Sequence, residues 1–138
     1  MSLFKVFDIS GSGLSAQSVR LNTIASNLAN ADSASGTADG AYRARHPVFQ
    51  AVMDDFGGQG GSASVRVNGV VQSQAPPEMR HMPNHPLANE DGYVFLPAVN
   101  TVEAMTDMMS ANRTYQNNVE VLNTVKQLML RTLQLGRN

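Results

Sequence analysis

Three histidines, His46, His81 and His85, are the side chains best suited to holding a metal in a chain without cysteine. His81 and His85 stand four apart, the spacing that puts two ligands on one face of a helix. Pro83 lies between them and Pro86 follows, so no helix is expected there and both read as solvated loop histidines. The carboxylate pairs Asp54–Asp55 and Glu90–Asp91 are adjacent in sequence. Neighbours in extended chain point apart, so neither pair suits general acid and base work. "SGSGLS" (Ser10–Ser15) holds a Gly-x-Gly without a preceding strand or a third glycine. "GGQGGSAS" (57–64) lacks the Lys-Ser/Thr and the helix of a phosphate loop. No serine sits in a Gly-x-Ser-x-Gly turn. The expectation is a protein with no catalytic residue, no cofactor and no metal site, and not an enzyme.

Composition narrows the classes further. At 138 residues the chain is one domain or one assembly unit. It is 42% hydrophobic, 6% aromatic and lacks Trp, and its net charge of −1 creates no field toward nucleic acid or anionic membrane. Arg43 and Arg45 beside Tyr42 make a basic spot too small for nucleic acid. No apolar run reaches 18 residues, so direct membrane insertion is not expected. The first residues lack a basic stretch, an apolar core and a small-residue cleavage site, so export by a cleaved signal peptide is not expected either.

The elements that must position any site fall into three stretches. Residues 1–30 read as a helix, with Phe7, Leu14, Leu21 and Leu28 seven apart and Ile24 and Ala25 between them late in the segment. Gly11 and Gly13 each cost about 1 kcal/mol in a helix interior. Either the helix starts after them or something packs close to its backbone. Residues 31–99 read as a small loop-rich β insert. "ADSASGTADGAYRARHP" (31–47) and "GGQGGSAS" are loops. "SVRVNGVVQS" (64–73) is a short strand, or a hairpin turning at Asn68–Gly69. "APPEMRHMPNHP" (75–86), with four prolines in twelve residues, is no regular element. Asp91–Gly92 is a turn leading into the extended "YVFLPAV".

Residues 100–138 read as a second helix. Asn100 is placed to cap it with Glu103 three residues on, and Gly136 to stop it. Met105, Met108, Asn112, Tyr115, Val119, Leu122, Met129 and Leu133 form its stripe, widened late by Val125 and Leu128 and broken at Lys126. The methionines at 105, 108, 109 and 129 read as core filler, with an adaptable interface as the alternative. A helix roughly 50 Å long does not fit a compact globule of this size. The expected fold is mainly α: two long terminal helices (1–30 and 100–138) pairing as a coiled-coil-like hairpin around the insert.

The first helix raises a question of its own. Between residues 1 and 30 only Lys5, Asp8 and Arg20 are charged, and the back is Ser, Asn, Gln, Gly and Ala. Such a surface hydrogen-bonds but is not expensive to dehydrate. It suits either an ordinary weakly polar helix or one surrounded by other chains. Long amphipathic ends around a loose middle also suit folding on assembly.

"SGLSAQSVRLNTIASNLANADS" (Ser12–Ser33) resembles the N-terminal signature of the bacterial flagellar axial proteins, the rod and hook group. Gly13, Leu14, Ala16, Gln17, Leu21, Asn22, Ile24, Ala25, Asn27, Leu28, Ala29 and Asn30 carry the likeness. "MMSANRTYQNNVEVLNTVKQLMLRTLQLG" (108–136) resembles the C-terminal helix of the same group, and "HPLANEDGYVFLPAVN" (85–100) its short proximal-rod members. Tyr42–Arg43 follows the Asn motif only after "ASGTADGA", a longer loop than many axial proteins have, and this too is similar to the proximal-rod branch.

The resemblance implies a structural subunit of the basal-body rod, located in the periplasmic space and passed out by the flagellar type III export apparatus. Its partners would be further copies of itself, other rod proteins, basal-body adaptor and inner-membrane ring proteins, and the export apparatus. It implies an apolar seam of Leu14, Leu21, Ile24 and Leu28 with Met108, Tyr115, Val119, Leu122 and Met129. Asn22, Asn27 and Asn30 would hydrogen-bond to adjacent backbones or cap helix ends, setting register. A cytoplasmic helical adaptor or chaperone of flagellar export is the alternative.

Overall fold

The computed structural model describes residues 3–54 and 62–136. Helix α1 (Leu3–Ala29) enters the insert, whose strands are β1 (Arg45–Asp54), β2 (Ser62–Gln72), β3 (Glu78–His81) and β4 (Tyr93–Leu96). Helix α2 (Thr101–Leu135) closes the chain. With 27 residues in α1 and 35 in α2, helix makes up about half of the chain. The expectation of a mainly α protein is corrected to two helices plus a substantial β insert.

The helices run antiparallel. Gly13 faces Asn118, and Arg20 Nη2 donates to Asp107 Oδ1 at 3.4 Å. Helix α1 does not start after its glycines but runs through both. At Gly13 the close neighbour is real: a Cβ there would lie 3.1 Å from the Asn118 amide nitrogen. Between these two contacts Ala16 and Ala111 are buried to 2% and 0% exposure, so small residues sit where the backbones approach.

Asn100 caps α2 as its position suggests: Oδ1 accepts from the N–H groups of Val102 and Glu103 at 3.1 and 3.2 Å. Gly136 ends it in a right-handed conformation, its N–H donating to Thr132 O. The buried side of α2 differs from the expected stripe. Ala104, Met108, Ala111, Tyr115, Asn118, Leu122, Val125 and Met129 are buried or half-buried, an uninterrupted alternation of four and three. Asn112 is exposed, and Met105 and Leu133 are 53% and 69% exposed. The expected stripe was rotated toward large side chains, because alanine at 104 and 111 carries little hydrophobic signal.

In the insert, β1 and β2 form one antiparallel pair and β3 and β4 another. Asn68–Gly69 does not turn a hairpin. The strand continues through it, and the register slips between Val48 and Phe49, which pair with Gly69 and Val67. Asn68 is the extra residue of a β-bulge, and Gly69 takes a φ of 155°. Strand β1 begins inside the stretch whose composition predicts a loop, and β3 lies within the proline-rich stretch expected to be irregular. In both places the prolines fit: Pro77 precedes β3 and Pro83 follows it, while Pro47 sits near the start of a two-stranded ribbon. Ser35 bridges to the free edge of β4, exchanging bonds with Phe95 at 2.8 and 2.9 Å. A small core of Ala31, Ala41, Ala44, Val94 and Leu96 forms in this region. Asp91–Gly92 turns as expected, Gly92 adopting a φ of 77°.

Candidate functional site

The last two turns of α1 hold the densest set of specific contacts. Asn27 is 7% exposed. Its Oδ1 accepts from Arg45 N–H at 2.8 Å and from Tyr42 OH at 2.9 Å, while its Nδ2 donates to Arg45 C=O at 2.8 Å. Because Arg45 N–H can only donate, the amide orientation is fixed by chemistry. The side chain thus meets both backbone groups of Arg45, as a neighbouring strand would. With the Tyr42 proton directed at Asn27, Ser26 Oγ is the donor in its 3.1 Å contact with Tyr42 OH. The Arg45 guanidinium lies 5.8 Å from the Tyr42 ring centroid, close enough for a cation–π contact.

A second tie lies fifteen residues back. Ser12 Oγ donates to Ile9 C=O at 2.7 Å and accepts from Val65 N–H at 3.1 Å. The β1–β2 ribbon is therefore held on α1 at its root by Asn27 and further out by Ser12. Ser12 and Asn27 are fifteen residues apart, about 60° around the helix, so the ties follow one broad face.

The expected seam residues take several positions. Ile24 is buried, and Leu14, Leu21 and Leu28 are half-buried. Each of these leucines is two residues past Ser12, Val19 or Ser26, a rotation of about 200°, which places them on the side of α1 away from the ribbon. Met108, Tyr115, Val119, Leu122 and Met129 are half-buried on α2. The three asparagines divide. Asn27 ties the ribbon; Asn30 Nδ2 donates to Ser26 C=O at 2.8 Å within the helix end; Asn22 is exposed. Ser12 and Asn118 carry no local signal of their roles, since their partners are distant in the chain.

Among the described residues no three potential metal ligands cluster. His81 is exposed with its ring 4.9 Å from that of Tyr93, and His85 Nδ1 accepts from Leu87 N–H at 3.1 Å. Glu90 and Asp91 are both exposed. Asp55 and the glycine run at 57–61 lie outside the described residues, as does the side chain of Asp54. No helix among the described residues is long and apolar enough to cross a membrane.

A cleft of about 600 Å³ opens where the ribbon root meets the start of α2. Ile24, Phe49 and Val99 give it apolar wall, and Arg20, Glu103 and Asp107 give it charge. At the far end of the helix pair Phe4, Leu130, Leu133 and Leu135 are 72%, 52%, 69% and 78% exposed. Val102, Met105 and Met109 form another exposed strip on α2, so core filler is not the role of Met105 or Met109. Such surfaces suit contact with other protein chains.

Comparison with known proteins agrees with a contact role. The family model described as "Flagella basal body rod protein" matches residues 7–36. The one described as "Flagellar basal body rod FlgEFG protein C-terminal" matches residues 90–135. The flagellar basal-body rod protein FlgC of Salmonella typhimurium is 52% identical over 137 residues, covering 99% of this chain and 100% of the relative. The FlgC of Yersinia enterocolitica is 50% identical over the same shares. That of Buchnera aphidicola subsp. Acyrthosiphon pisum is 37% identical over 99% of each chain.

Proposed function

The chain belongs to the FlgC family of flagellar basal-body rod proteins, and from that premise we propose how its parts serve the rod. It is a structural rod subunit and not an enzyme, and the cytoplasmic adaptor reading has no support. The helical regions 1–30 and 100–138 act as one axial unit, a coiled-coil-like hairpin that stacks helically with neighbouring subunits. The stack builds the proximal part of a drive shaft that crosses the periplasm around an export channel. Region 31–99 lies outside and touches adjacent basal-body proteins: other rod subunits, adaptor proteins and the inner-membrane ring. The subunit reaches its place through the flagellar type III export apparatus without a cleaved signal peptide.

The observation that carries this reading is the likeness to FlgC over 99% of the chain, with α2 inside one family match and all but the first four residues of α1 inside the other. The exposed apolar surface at both ends of the helix pair adds a physical reason for assembly. Leu14, Leu21 and Leu28 are placed to meet neighbouring helices on the side of α1 away from the ribbon, and Asn22 is exposed on a different face. Mass spectrometry of purified, detergent-resistant basal bodies tests the reading. The chain is expected there in several copies, lost with the rod and retained independently of the inner-membrane ring. Recovery only from the soluble cytoplasm would overturn it.

A further inference from the structure

We propose that the β1–β2 ribbon is a movable strap on α1: anchored at Asn27, bending at the Asn68–Gly69 bulge and latched at Ser12. Its outer part lifts from the helix when the latch opens. The device goes beyond the rod reading, and only its use in the rod rests on that reading.

The two ties differ in strength and in what their release strands. At the root, three bonds join the buried Asn27 to Tyr42 and Arg45. Opening them leaves the Asn27 amide unpaired in a site with little access to water. Further out, one bond, from Val65 N–H to Ser12 Oγ at 3.1 Å, joins β2 to α1. Opening it strands nothing. The Ser12 hydroxyl keeps Ile9 C=O as its acceptor at 2.7 Å, and the exposed Val65 passes its N–H to water.

Packing follows the same gradient. Ala41 and Ala44, just before the ribbon, are buried. Among the described ribbon residues none is buried, and beyond Arg45 only Pro47, Val52, Ser64 and Val67 are half-buried. Little apolar surface therefore resists lifting. A bend point lies between the two ties. The register slips at Val48 and Phe49, between the Arg45–Gln72 pair at the root and the Ala51–Val65 pair at the latch. A bulge bends its strand, and Gly69 has backbone freedom that other residues lack. The ribbon can turn there while the Asn27 bonds stay closed, as in a hinge of a few residues. In the rod, such a strap fits the outer insert to neighbours of different shape and leaves the helix pair undisturbed.

Pulsed electron spin resonance between paired spin labels on the purified full-length chain tests the strap. The chain has no cysteine, so introduced label sites have no competitor. Asp8→Cys with Arg66→Cys reports on the outer ribbon, and Asn22→Cys with His46→Cys on its root; all four residues are exposed. The root pair should give one narrow distance. The outer pair should give a dominant distance and a minor, longer one. Ser12→Ala should raise the longer population about fivefold, the effect of losing one hydrogen bond, and leave the root pair unchanged. Ser12→Thr keeps the hydroxyl and should behave as wild type. An outer pair as narrow as the root pair in Ser12→Ala, a root pair that moves with the outer one, or Ser12→Thr that releases like Ser12→Ala would each overturn the proposal. Mass spectrometry of basal bodies tests the rod reading separately, and neither result decides the other.

Discussion

The two ends of the helix pair solve opposite problems. At the ribbon end, polar side chains are bonded: the buried Asn27 bridges Arg45 and Tyr42, the buried Thr23 Oγ1 donates to Val19 C=O at 2.7 Å, and the exposed Asn100 caps α2. At the far end, apolar side chains are exposed: Phe4, Leu130, Leu133 and Leu135. Buried polar groups fix geometry, because only one arrangement satisfies them. Exposed apolar groups leave geometry to a partner. The fold thus concentrates its internal specificity where the insert joins, while exposed apolar side chains lie at both ends: Val102, Met105 and Met109 at the ribbon end and the leucines with Phe4 at the far end.

The largest expected effect comes from breaking the specific end. Asn27→Leu removes both bonds to the Arg45 backbone and the acceptor for Tyr42 OH. It should lower stability by about 2–3 kcal/mol in urea unfolding, chiefly through stranded polar groups. The ribbon should loosen with it, visible as faster hydrogen exchange at Arg45 N–H. Rod assembly and motility should fall as well; unchanged motility would count against Asn27 setting the geometry of the assembled subunit.

Next in size is the close approach in the middle. Ala111→Leu places a large side chain where nothing is exposed and should cost about 1–3 kcal/mol by overpacking. The same substitution at Ala25, which is exposed, should change stability by less than about 0.5 kcal/mol. Comparable losses at both sites would mean that the helices are not spaced by small residues.

These two sites also mark what the sequence made legible. The α2 cap was readable because Asn100 and Glu103 announce a local bond pattern that needs no knowledge of the fold. The pairing of terminal helices was readable from spacing alone. The true stripe on α2 was not, because Ala104 and Ala111 are buried by proximity and not by hydrophobicity, while Met105 and Leu133 look like core and are exposed. Strand β1 was hidden by Pro47 and by charged residues at its start, which suppress a strand signal although a two-stranded ribbon tolerates them. Asn27 was singled out as a hydrogen-bonding residue, but its partner stands eighteen residues away and belongs to the same chain. Tertiary partners of that kind leave no periodic trace.

The smallest effects sharpen the comparison within one helix. Gly11 and Gly13 are the same residue in the same helix, two positions apart. A Cβ at Gly11 meets nothing within 4 Å, so Gly11→Ala should gain about 0.5–1 kcal/mol from reduced freedom of the unfolded chain. A Cβ at Gly13 would lie 3.1 Å from the Asn118 amide nitrogen. Gly13→Ala receives the same intrinsic gain and loses part of it by displacing Asn118, so its net change should fall at least about 0.5 kcal/mol below that of Gly11→Ala. Thermal unfolding of both variants beside wild type reads the difference directly. A larger gain at Gly13 would mean that Asn118 yields freely and that the helices do not rely on this glycine for their approach. Little gain at Gly11 would point to a contact on that face that the isolated subunit does not contain. Repeating the pair in assembled rods would then separate packing within the subunit from packing between subunits.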